Sequence, residues 1–189
     1  MKDMSFKKLG EKDRREMERV YVDTRYKDPH FKHKNKKDSW ERARRRCEFW
    51  FRNPRNHYIL GLFLRKKLIG FVVLADWITC DYTLTMNLDK INKKLRSFEK
   101  NPNKACMIES INIVKKHQDK GYGRILSDEL FKRVRDSAFT KRKKYSCFIV
   151  STGTRTKGYT LISKMATYLG RNKIGHLWNN FYLLDLKKI

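Results

Sequence analysis

A strand, a glycine-containing loop and a helix follow one another in the second half of this 189-residue sequence, and no other feature restricts the fold as much. The run "ACMIESINIV" (residues 105–114) is apolar and β-branched, which predicts a buried strand. After the polar loop "KKHQDK", a helix is predicted from Gly121 onwards, because Leu126, Leu130 and Val134 recur every four residues. A strand that leads through a short loop into an amphipathic helix indicates an α/β domain.

Two further strands are predicted upstream of this unit. The runs "HYILGLFL" and "LIGFVVLADW" are separated only by the polar tripeptide Arg65-Lys66-Lys67, which predicts a hairpin of two buried strands. The segment "MSFKKL" near the start of the chain predicts a short first strand. The sheet therefore begins with antiparallel neighbours.

Two helices are predicted between the first strand and the hairpin. The segment "GEKDRREMERVYVDTRY" carries apolar residues at helical spacing, and so does "KDSWERARRRCEFWF". Ser39 is the predicted N-cap of the second helix. The apolar face of that helix is predicted to consist of Trp40, Ala43, Cys47 and Trp50.

The remaining segments complete the predicted order of elements. An insertion from about residue 79 to 104 separates the hairpin from the strand at 105–114, and its second half is basic and helical in pattern. After the basic loop "KRKK" (residues 141–144), "YSCFIVST" predicts a strand. The segment "KGYTLISKMATYLG" predicts a helix with Gly170 as its C-terminal cap, and "NNFYLLDLKKI" predicts a final strand.

The loop between the predicted strand and helix has the properties of an anion site. The first amides of a helix have no partner within it, and the helix dipole places partial positive charge at the same end. Gly121 and Gly123 carry no Cβ atom to keep phosphate oxygens from the backbone, and Lys120 and Arg124 add positive charge. Neither the GxxxxGK[ST] pattern nor the three-glycine dinucleotide pattern is present.

What remains, "QDKGYG" (residues 118–123), resembles the Q/R-x-x-G-x-G/A signature of the GNAT superfamily of N-acetyltransferases, which cradles the pyrophosphate of acetyl-CoA. The segment "LGRNKIG" (residues 169–175) is similar to that family's helix-end motif, and a terminal strand like "FYLLDLKK" follows it. The resemblance implies an α/β fold with a mixed, mostly antiparallel sheet of six to seven strands flanked by about four helices. It also implies one domain over residues 1–189, with the insertion at 79–104 before the signature strand.

The resemblance further implies a binding site for acetyl-CoA as co-substrate, without a metal. In the family, free amides of the signature strand hold the pantetheine arm and the acetyl group, and amides of the loop hold the pyrophosphate. The cofactor-binding residues implied in this way are Ile111, Asn112, Ile113, Val114, Gln118, Asp119, Lys120, Gly121, Tyr122, Gly123 and Arg124.

Two residues are candidates for catalysis. Glu109 lies on the signature strand at about the place where some members of the family have a base that acts through water; its alternative role is an ion pair with a neighbouring Lys or Arg. The tyrosine that often acts as the general acid in the family corresponds to Ala166 here. Tyr168, two residues further on, is therefore the candidate for the acid that protonates the CoA thiolate. Tyr159, Ser163, water and the acceptor itself are alternatives for that proton.

Charge and cysteine usage restrict the partners. Lys and Arg number 46 against 20 Asp and Glu, a net charge of +26, which suits a polyanion such as nucleic acid or the ribosome. An AT-rich genome that favours lysine codons is an equally good explanation of this charge. The four cysteines form no CxxC pair, which argues against zinc and against a disulfide framework, and no apolar run is long enough to span a membrane. A cytoplasmic protein with reduced thiols is therefore expected.

The sequence thus predicts an acetyl-CoA-dependent N-acetyltransferase that transfers acetyl directly to a primary amine. An acceptor carried on a polyanion fits the charge best: aminoacyl-tRNA, a nucleobase, or a protein at the ribosome. The alternative is a non-catalytic module of the same fold that holds nucleic acid through basic faces and tryptophans. The oligomeric state and the identity of the acceptor stay open.

Overall fold

A computed structural model of the chain describes residues 3–26, 35–80, 88–136, 145–153, 166–174 and 177–185. The four α-helices of these ranges are α1 (Arg14–Arg25), α2 (Lys36–Arg52), α3 (Asp89–Phe98) and α4 (Tyr122–Asp136). The strands are β1 (Met4–Lys8), β2 (His57–Leu64), β3 (Lys67–Asp76), β4 (Ala105–Ile113), β5 (Cys147–Gly153), β6 (Thr167–Ile174) and β7 (Leu177–Asp185). The predicted α/β class is therefore confirmed.

All seven strands belong to one sheet in the order β1-β2-β3-β4-β5-β7-β6. Strand β1 pairs antiparallel with β2, and β7 pairs antiparallel with both β5 and β6, whereas β4 and β5 are parallel. A parallel pair needs a crossover connection, and α4 lies in the chain between these two strands. The sheet is mixed and mostly antiparallel, with about four helices, as the sequence predicted.

The polypeptide falls into two compact units. Unit 1 comprises Met1–Val73 and Ser110–Ser137, and unit 2 comprises Leu74–Glu109 and Ala138–Ile189. Within the described ranges, no helix combines the length and the apolar character needed to cross a bilayer.

In unit 1, α1 and α2 pack against each other through their apolar faces. The predicted stripe of α1 is confirmed, since Met17, Val20 and Tyr21 are buried. On α2, Ala43, Cys47 and Trp50 are also buried, as the helical spacing requires; the face also includes Trp40, which is only half-buried.

The predicted N-cap of α2 is wrong by one turn. The helix is capped by Asn35, whose Oδ1 accepts a hydrogen bond of 2.9 Å from the backbone N–H of Asp38. Ser39 lies inside the helix and is completely buried. Asparagine and serine are both good caps, and the residue that begins the helix is the one whose side chain reaches an unpaired amide of the first turn.

The hairpin of β2 and β3 is formed as predicted, with Arg65 and Lys66 as its two-residue turn. Both residues have positive φ, 48° and 62° respectively, which is the pattern of a type I′ turn. This turn usually contains Asn-Gly, because a left-handed conformation costs a residue with a long side chain about 1–2 kcal/mol. The hairpin therefore contains two strained positions, both occupied by cations.

Gly70 of β3 allows the end of β4 to approach closely. A Cβ atom at this position would lie 2.3 Å from Cδ1 of Ile113 and 2.8 Å from the carbonyl oxygen of Asn112. Just beyond this contact, the N–H of Val114 donates a 2.9 Å hydrogen bond to the carbonyl of Ile69. The missing side chain thus determines where β4 ends.

In unit 2, the helix predicted in the second half of the insertion is present as α3. Its Ile91 and Leu95 are buried in one apolar cluster with Trp77, and Asn92 accepts a 2.8 Å hydrogen bond from the indole N–H of Trp77. The insertion therefore supplies part of the core of unit 2. Its predicted alternating half falls in residues 81–87, which lie outside the described ranges, as does the predicted basic loop at 141–144.

The predicted helix that ends at Gly170 is wrong for its last residues. From Thr167 the chain is strand β6, which pairs with β7 through Tyr168↔Tyr182 and then Gly170↔Phe181, so Leu169 is the extra residue of a β-bulge. Gly170 has φ 150° at this bulge. The predicted terminal strand is confirmed as β7, whereas residues 154–165 lie outside the described ranges.

The contact at Gly70 yields a stability prediction. Gly70→Ala should lower the free energy of unfolding by about 1–3 kcal/mol, because the new methyl group overlaps Ile113 and a carbonyl oxygen. For a chain of this size, thermal unfolding should shift down by about 2–4 °C per kcal/mol, measured by circular dichroism. Gly10→Ala is the matched control: a Cβ there meets no atom within 4 Å, and φ is −126°, so little change is expected. Equal melting of the two variants would contradict this account.

Candidate functional site

The loop between β4 and α4 lies within unit 1 and turns sharply twice. A short 3-10 turn over Lys115–His117 follows Val114, and α4 begins at Tyr122. Asp119 and Gly121 both have positive φ, 58° and 81°. Aspartate tolerates this conformation better than most residues, and glycine adopts it without strain, which explains both residue types.

The N-terminus of α4 presents backbone amides to this loop. The first hydrogen bond of the helix runs from the N–H of Ile125 to the carbonyl of Gly121, at 3.1 Å. The preceding amides, those of Tyr122, Gly123 and Arg124, have no acceptor four residues earlier in the helix. Together with the helix dipole, they form a site suited to an anion.

Gly123 is not required by the fold. It lies in the first turn of α4 without a positive φ, and a Cβ atom at this position would meet nothing within 4 Å. Glycine in a helix costs about 1 kcal/mol relative to alanine. The open space beside Gly123 is therefore a reason for glycine only if a ligand approaches the backbone there.

The side chain of Gln118 shapes the loop. Its Nε2 donates a 2.8 Å hydrogen bond to the carbonyl of Ile113, the last residue of β4. The Thr24 hydroxyl, at the end of α1, lies 3.1 Å from the same carbonyl and 2.8 Å from that of Val20, so the two carbonyls share its one proton. The signature glutamine thus ties the loop back to the strand from which it departs.

The predicted strand amides differ in availability. The Val114 amide is engaged by Ile69 of β3, so the expectation that it is free for a ligand is wrong. Because N–H groups of successive residues in a strand point to opposite edges, the amide of Asn112 points toward β3 as well. The amides of Ile111 and Ile113 point to the other edge.

Asn112 is completely buried and its side chain belongs to a polar network. Its Nδ2 donates to the Ser110 hydroxyl at 2.7 Å, and its Oδ1 accepts from Nε of Arg25 at 3.2 Å. Ile111, by contrast, is 36% exposed. The two neighbours therefore have different roles: Asn112 fixes the strand, and Ile111 borders solvent.

The last turn of α1 holds the same strand end, and the sequence analysis missed it. Asp23 accepts a 2.6 Å hydrogen bond from the amide of Lys115, and the Lys115 ammonium donates to the carbonyl of Tyr26 at 2.5 Å. The residues involved are separated by about ninety positions, as in the Arg25 and Thr24 contacts. In the sequence, these contacts are indicated only by the polar residues Asp23, Thr24 and Arg25, which follow the apolar stripe of α1.

Cations of the loop face solvent. Arg124 is 73% exposed and lies 3.8 Å from Asp128, a pair that contributes little in water. His117 contacts the Tyr122 ring edge-on at 5.7 Å. Its pKa is lowered, first by burial and then by the charges of Lys116 and Lys120, so the imidazole is neutral at neutral pH.

Glu109 is buried on β4, in unit 2, with 6% of its surface exposed. The parallel register of β4 with β5 ends at Ile108↔Val150, immediately before this residue. A buried carboxylate of this kind is a candidate for proton transfer or for a structural polar contact.

Tyr168 lies on β6, so its predicted position on a helix is wrong. The side chain is 42% exposed, and its ring is 5.5 Å from that of Tyr182 and 5.6 Å from the ammonium of Lys94. The alternatives Tyr159 and Ser163 lie outside the described ranges. An exposed phenol remains accessible for proton transfer.

The four cysteines are buried, so they are poor nucleophiles. Burial raises the pKa of the Cys47 thiol to about 12 and that of Cys147 to about 11, and it raises the pKa of Cys106 well above its ordinary value. Cys80 is completely buried as well. Across the part of the chain that the structure describes, no three His, Cys, Asp or Glu residues cluster as metal ligands would.

Comparisons with solved structures show the same fold at low sequence identity. The yncA protein of Salmonella typhimurium, solved with its cofactor acetyl-CoA, is 16% identical and has a TM-score of 0.63, with 97% of this chain and 94% of that chain covered. The paia N-acetyltransferase of Thermoplasma acidophilum, in complex with coenzyme A, is 14% identical and has a TM-score of 0.58. The match covers 96% of this chain and 98% of that chain. The ribosomal-protein-alanine N-acetyltransferase of Brucella melitensis is 14% identical, with a TM-score of 0.62 and coverage of 96% and 99%.

A search of curated proteins found no match. The model of the acetyltransferase (GNAT) family matches residues 21–146, which is more than half of the chain and includes the signature strand, the glycine loop and α4. The chain therefore belongs to the GNAT family of acetyltransferases, as its loop signature predicted.

Proposed function

We propose that this protein is an acetyl-CoA-dependent N-acetyltransferase that moves the acetyl group directly to a primary amine carried on nucleic acid or on the ribosome. The observation that carries the proposal is the open space at Gly123, over helix amides that have no partner within α4. An anion that approaches the backbone explains the glycine, and the pyrophosphate of acetyl-CoA is such an anion.

The backbone of unit 1 can hold two parts of this co-substrate. The amide of Gln118 donates to the carbonyl of Lys115 at 3.1 Å, so the expectation that it binds the pyrophosphate is wrong. The amides from Asp119 to Arg124 would bind the pyrophosphate, and Gly121 and Gly123 keep the approach open. The amides of Ile111 and Ile113 would hold the pantetheine arm, while the side chain of Asn112 and the amide of Val114 keep the strand in position. Bound acetyl-CoA supplies an activated thioester.

The chemistry of the side chains favours direct transfer. A covalent acetyl-cysteine would need a thiolate, and burial raises the pKa of the Cys47, Cys106 and Cys147 thiols. Glu109 is the proposed base, which removes a proton from the acceptor amine through water. Tyr168 is the proposed acid, which protonates the departing sulfur.

The charge of the chain supports a polyanion-borne acceptor. A net charge of +26 repels free amines and lysine-rich tails, and it attracts RNA-linked acceptors such as aminoacyl-tRNA or a protein on the ribosome. One structural relative is a ribosomal-protein-alanine N-acetyltransferase. Such an acceptor places the protein in the cytoplasm, where the whole chain would act as one acetyltransferase domain.

The alternative, a non-catalytic nucleic-acid-binding module, is less well supported. It depends on tryptophans that stack on bases, and Trp50 and Trp77 are both 1% exposed and belong to the apolar cores. Trp40 is half-buried. An open phosphate cradle at Gly123 is also unnecessary for a pure binder of nucleic acid.

The proposed function is tested by incubating the protein with radiolabelled acetyl-CoA and separate pools of tRNA, ribosomes, DNA, protein and small amines. Label should enter the tRNA or ribosome pool, and the rate should fall as salt is raised. Label only in small amines, or a rate in the RNA pools that does not respond to salt, would refute the proposed acceptor. Saturable acetyl-CoA binding without turnover in any pool would favour the non-catalytic alternative.

Gly123→Trp should weaken acetyl-CoA binding by about 100-fold or more, because the indole fills the space that the pyrophosphate needs. Isothermal titration calorimetry gives the dissociation constant. Lys132→Trp is the matched control, since it places the same side chain on an exposed position of α4 about two turns further along. Its affinity should equal that of the wild type, and unchanged binding by Gly123→Trp would exclude this loop as the cofactor site.

Glu109→Gln should lower kcat by about 10²–10⁴-fold, since it removes the base and keeps the shape of the side chain. The dissociation constant of acetyl-CoA should stay the same. Glu129→Gln, which changes a partly exposed carboxylate paired with Arg133 at 2.7 Å, serves as the control and should keep its kcat. Full activity in Glu109→Gln would assign this carboxylate a purely structural role.

Tyr168→Phe should also lower kcat. Thermal unfolding should not change, because the ring keeps its tilted contact with Tyr182 and more than a third of the side chain faces solvent. The deficit should shrink with an acetyl donor whose thiol is more acidic, since such a leaving group needs less help from an acid. An unchanged kcat would show that water or the acceptor delivers this proton.

A further inference from the structure

An open cleft lies in unit 1, beside the glycine loop between β4 and α4. It has a volume of about 680 Å³ and is bordered by the start of β1, the turn between β2 and β3, the loop after β4 and the first turn of α4. The backbone amides of the glycine loop account for the proposed pyrophosphate site. They do not account for the cations that line this cleft.

The lining of the cleft is strongly positive. Arg65, Lys67, Lys116 and Lys120 contribute four cations, and Asp3 is the one acidic residue among the described residues that line it, so four minus one leaves a charge of +3. Asp3 lies 3.3 Å from Arg65 in an exposed pair. An exposed pair of this kind is weak, so all four cations can attract an anion. The pKa of His117, which also lines the cleft, is lowered first by burial and then by the charges of Lys116 and Lys120.

The turn that supplies Arg65 is built at a cost to stability. Arg65 and Lys66 both have positive φ, a conformation that glycine and asparagine adopt far more easily in a two-residue hairpin turn. Neither side chain supports the turn itself, apart from the exposed contact of Arg65 with Asp3. Strained backbone positions cluster at ligand-binding and active sites.

The floor of the cleft is apolar and aromatic. Ile69 is buried beneath it, and Met4, Tyr122 and Ile125 are half-buried. The rings of His117 and Tyr122 meet edge-on at 5.7 Å and 84°. Proteins that bind single-stranded nucleic acid combine cations with aromatic rings in this way, because the cations bind phosphates and the bases stack on the rings.

We propose that this cleft binds single-stranded RNA, with phosphates on Arg65, Lys67 and Lys116 and with a base against the ring of Tyr122. The choice of RNA rests on the proposed function, in which the acceptor is carried on tRNA or the ribosome. An acidic peptide would satisfy the cations, but it would leave the aromatic floor without a stacking partner. The cleft is thus the proposed binding surface for the polyanion whose presence the net charge of the chain suggests.

The test measures fluorescence anisotropy of a labelled single-stranded RNA of about 12 nucleotides, within the range of known site sizes. The cleft variant combines Arg65→Glu, Lys67→Glu and Lys116→Glu. The control variant combines Lys90→Glu, Lys93→Glu and Lys100→Glu, three exposed lysines of unit 2. Both variants change the net charge by the same amount, from +26 to +20, since each of three substitutions removes two charges.

The cleft variant should bind the RNA at least about tenfold more weakly than the control variant. The slope of log affinity against log salt should fall by about two, at about 0.7 for each of three lost phosphate contacts. Equal affinity in the two variants would overturn the proposal, because nonspecific charge would then explain the binding. Equal affinity of the wild type for single-stranded DNA of the same sequence would overturn the choice of RNA. Displacement of the RNA by polyglutamate of equal charge would overturn the proposed stacking of a base on Tyr122.

A second variant tests the strained turn without adding negative charge. Arg65→Asn with Lys66→Gly replaces the turn by the sequence that suits it best, so thermal unfolding should rise by about 2–4 °C while RNA binding weakens. A more stable protein that binds RNA as tightly as the wild type would overturn a ligand role for Arg65, the residue of this turn that lines the cleft together with Lys67. A variant with opposite effects on stability and binding cannot be explained by misfolding.

Acetyl-CoA separates this proposal from the proposed function. Saturating acetyl-CoA should leave RNA bound, and displacement would show that the cleft belongs to the co-substrate. If calorimetry finds no acetyl-CoA binding to the wild type, the proposed function fails, whereas the tenfold difference between cleft and control variants would still support the RNA site.

Discussion

The contact between Gly70 and Ile113 determines where the loop between β4 and α4 begins. Because β3 carries no side chain at this point, Ile113 of β4 can lie against its backbone, and the next residue, Val114, donates its amide to Ile69. The loop must therefore leave the sheet at a fixed residue. Gln118 and the last turn of α1 then bind the carbonyl of Ile113 and the amide of Lys115, so the strand end is held from both sides.

The two glycines of the signature, Gly121 and Gly123, are glycine for different physical reasons. Gly121 is needed by the chain itself, since φ at this residue is 81°. Gly123 has no such constraint and no neighbour that a methyl group would touch. A single sequence motif thus combines a residue that builds the loop with a residue beside which the backbone stays open.

Local patterns predicted most of the fold. The stripe at Leu126, Leu130 and Val134 and the tripeptide between β2 and β3 are local signals, and both elements formed as expected. The helix predicted up to Gly170 failed because a helix C-cap and a β-bulge both favour a glycine with positive φ, and pairing with β7 decides between them. The tether from α1 to β4 could not be predicted, since it joins residues far apart in the chain.

The backbone N–H groups at the end of β4 point alternately to the two edges of the strand. Those of Asn112 and Val114 point toward β3, where Val114 donates to Ile69. Those of Ile111 and Ile113 point toward the opposite edge. A pantetheine arm bound to the second pair would act as a surrogate strand, a form of β-augmentation. Any ligand that binds only the folded chain raises its stability by mass action. A ligand held along this edge would therefore stabilise the folded chain, and the stabilisation would grow as the ligand concentration rises above its dissociation constant.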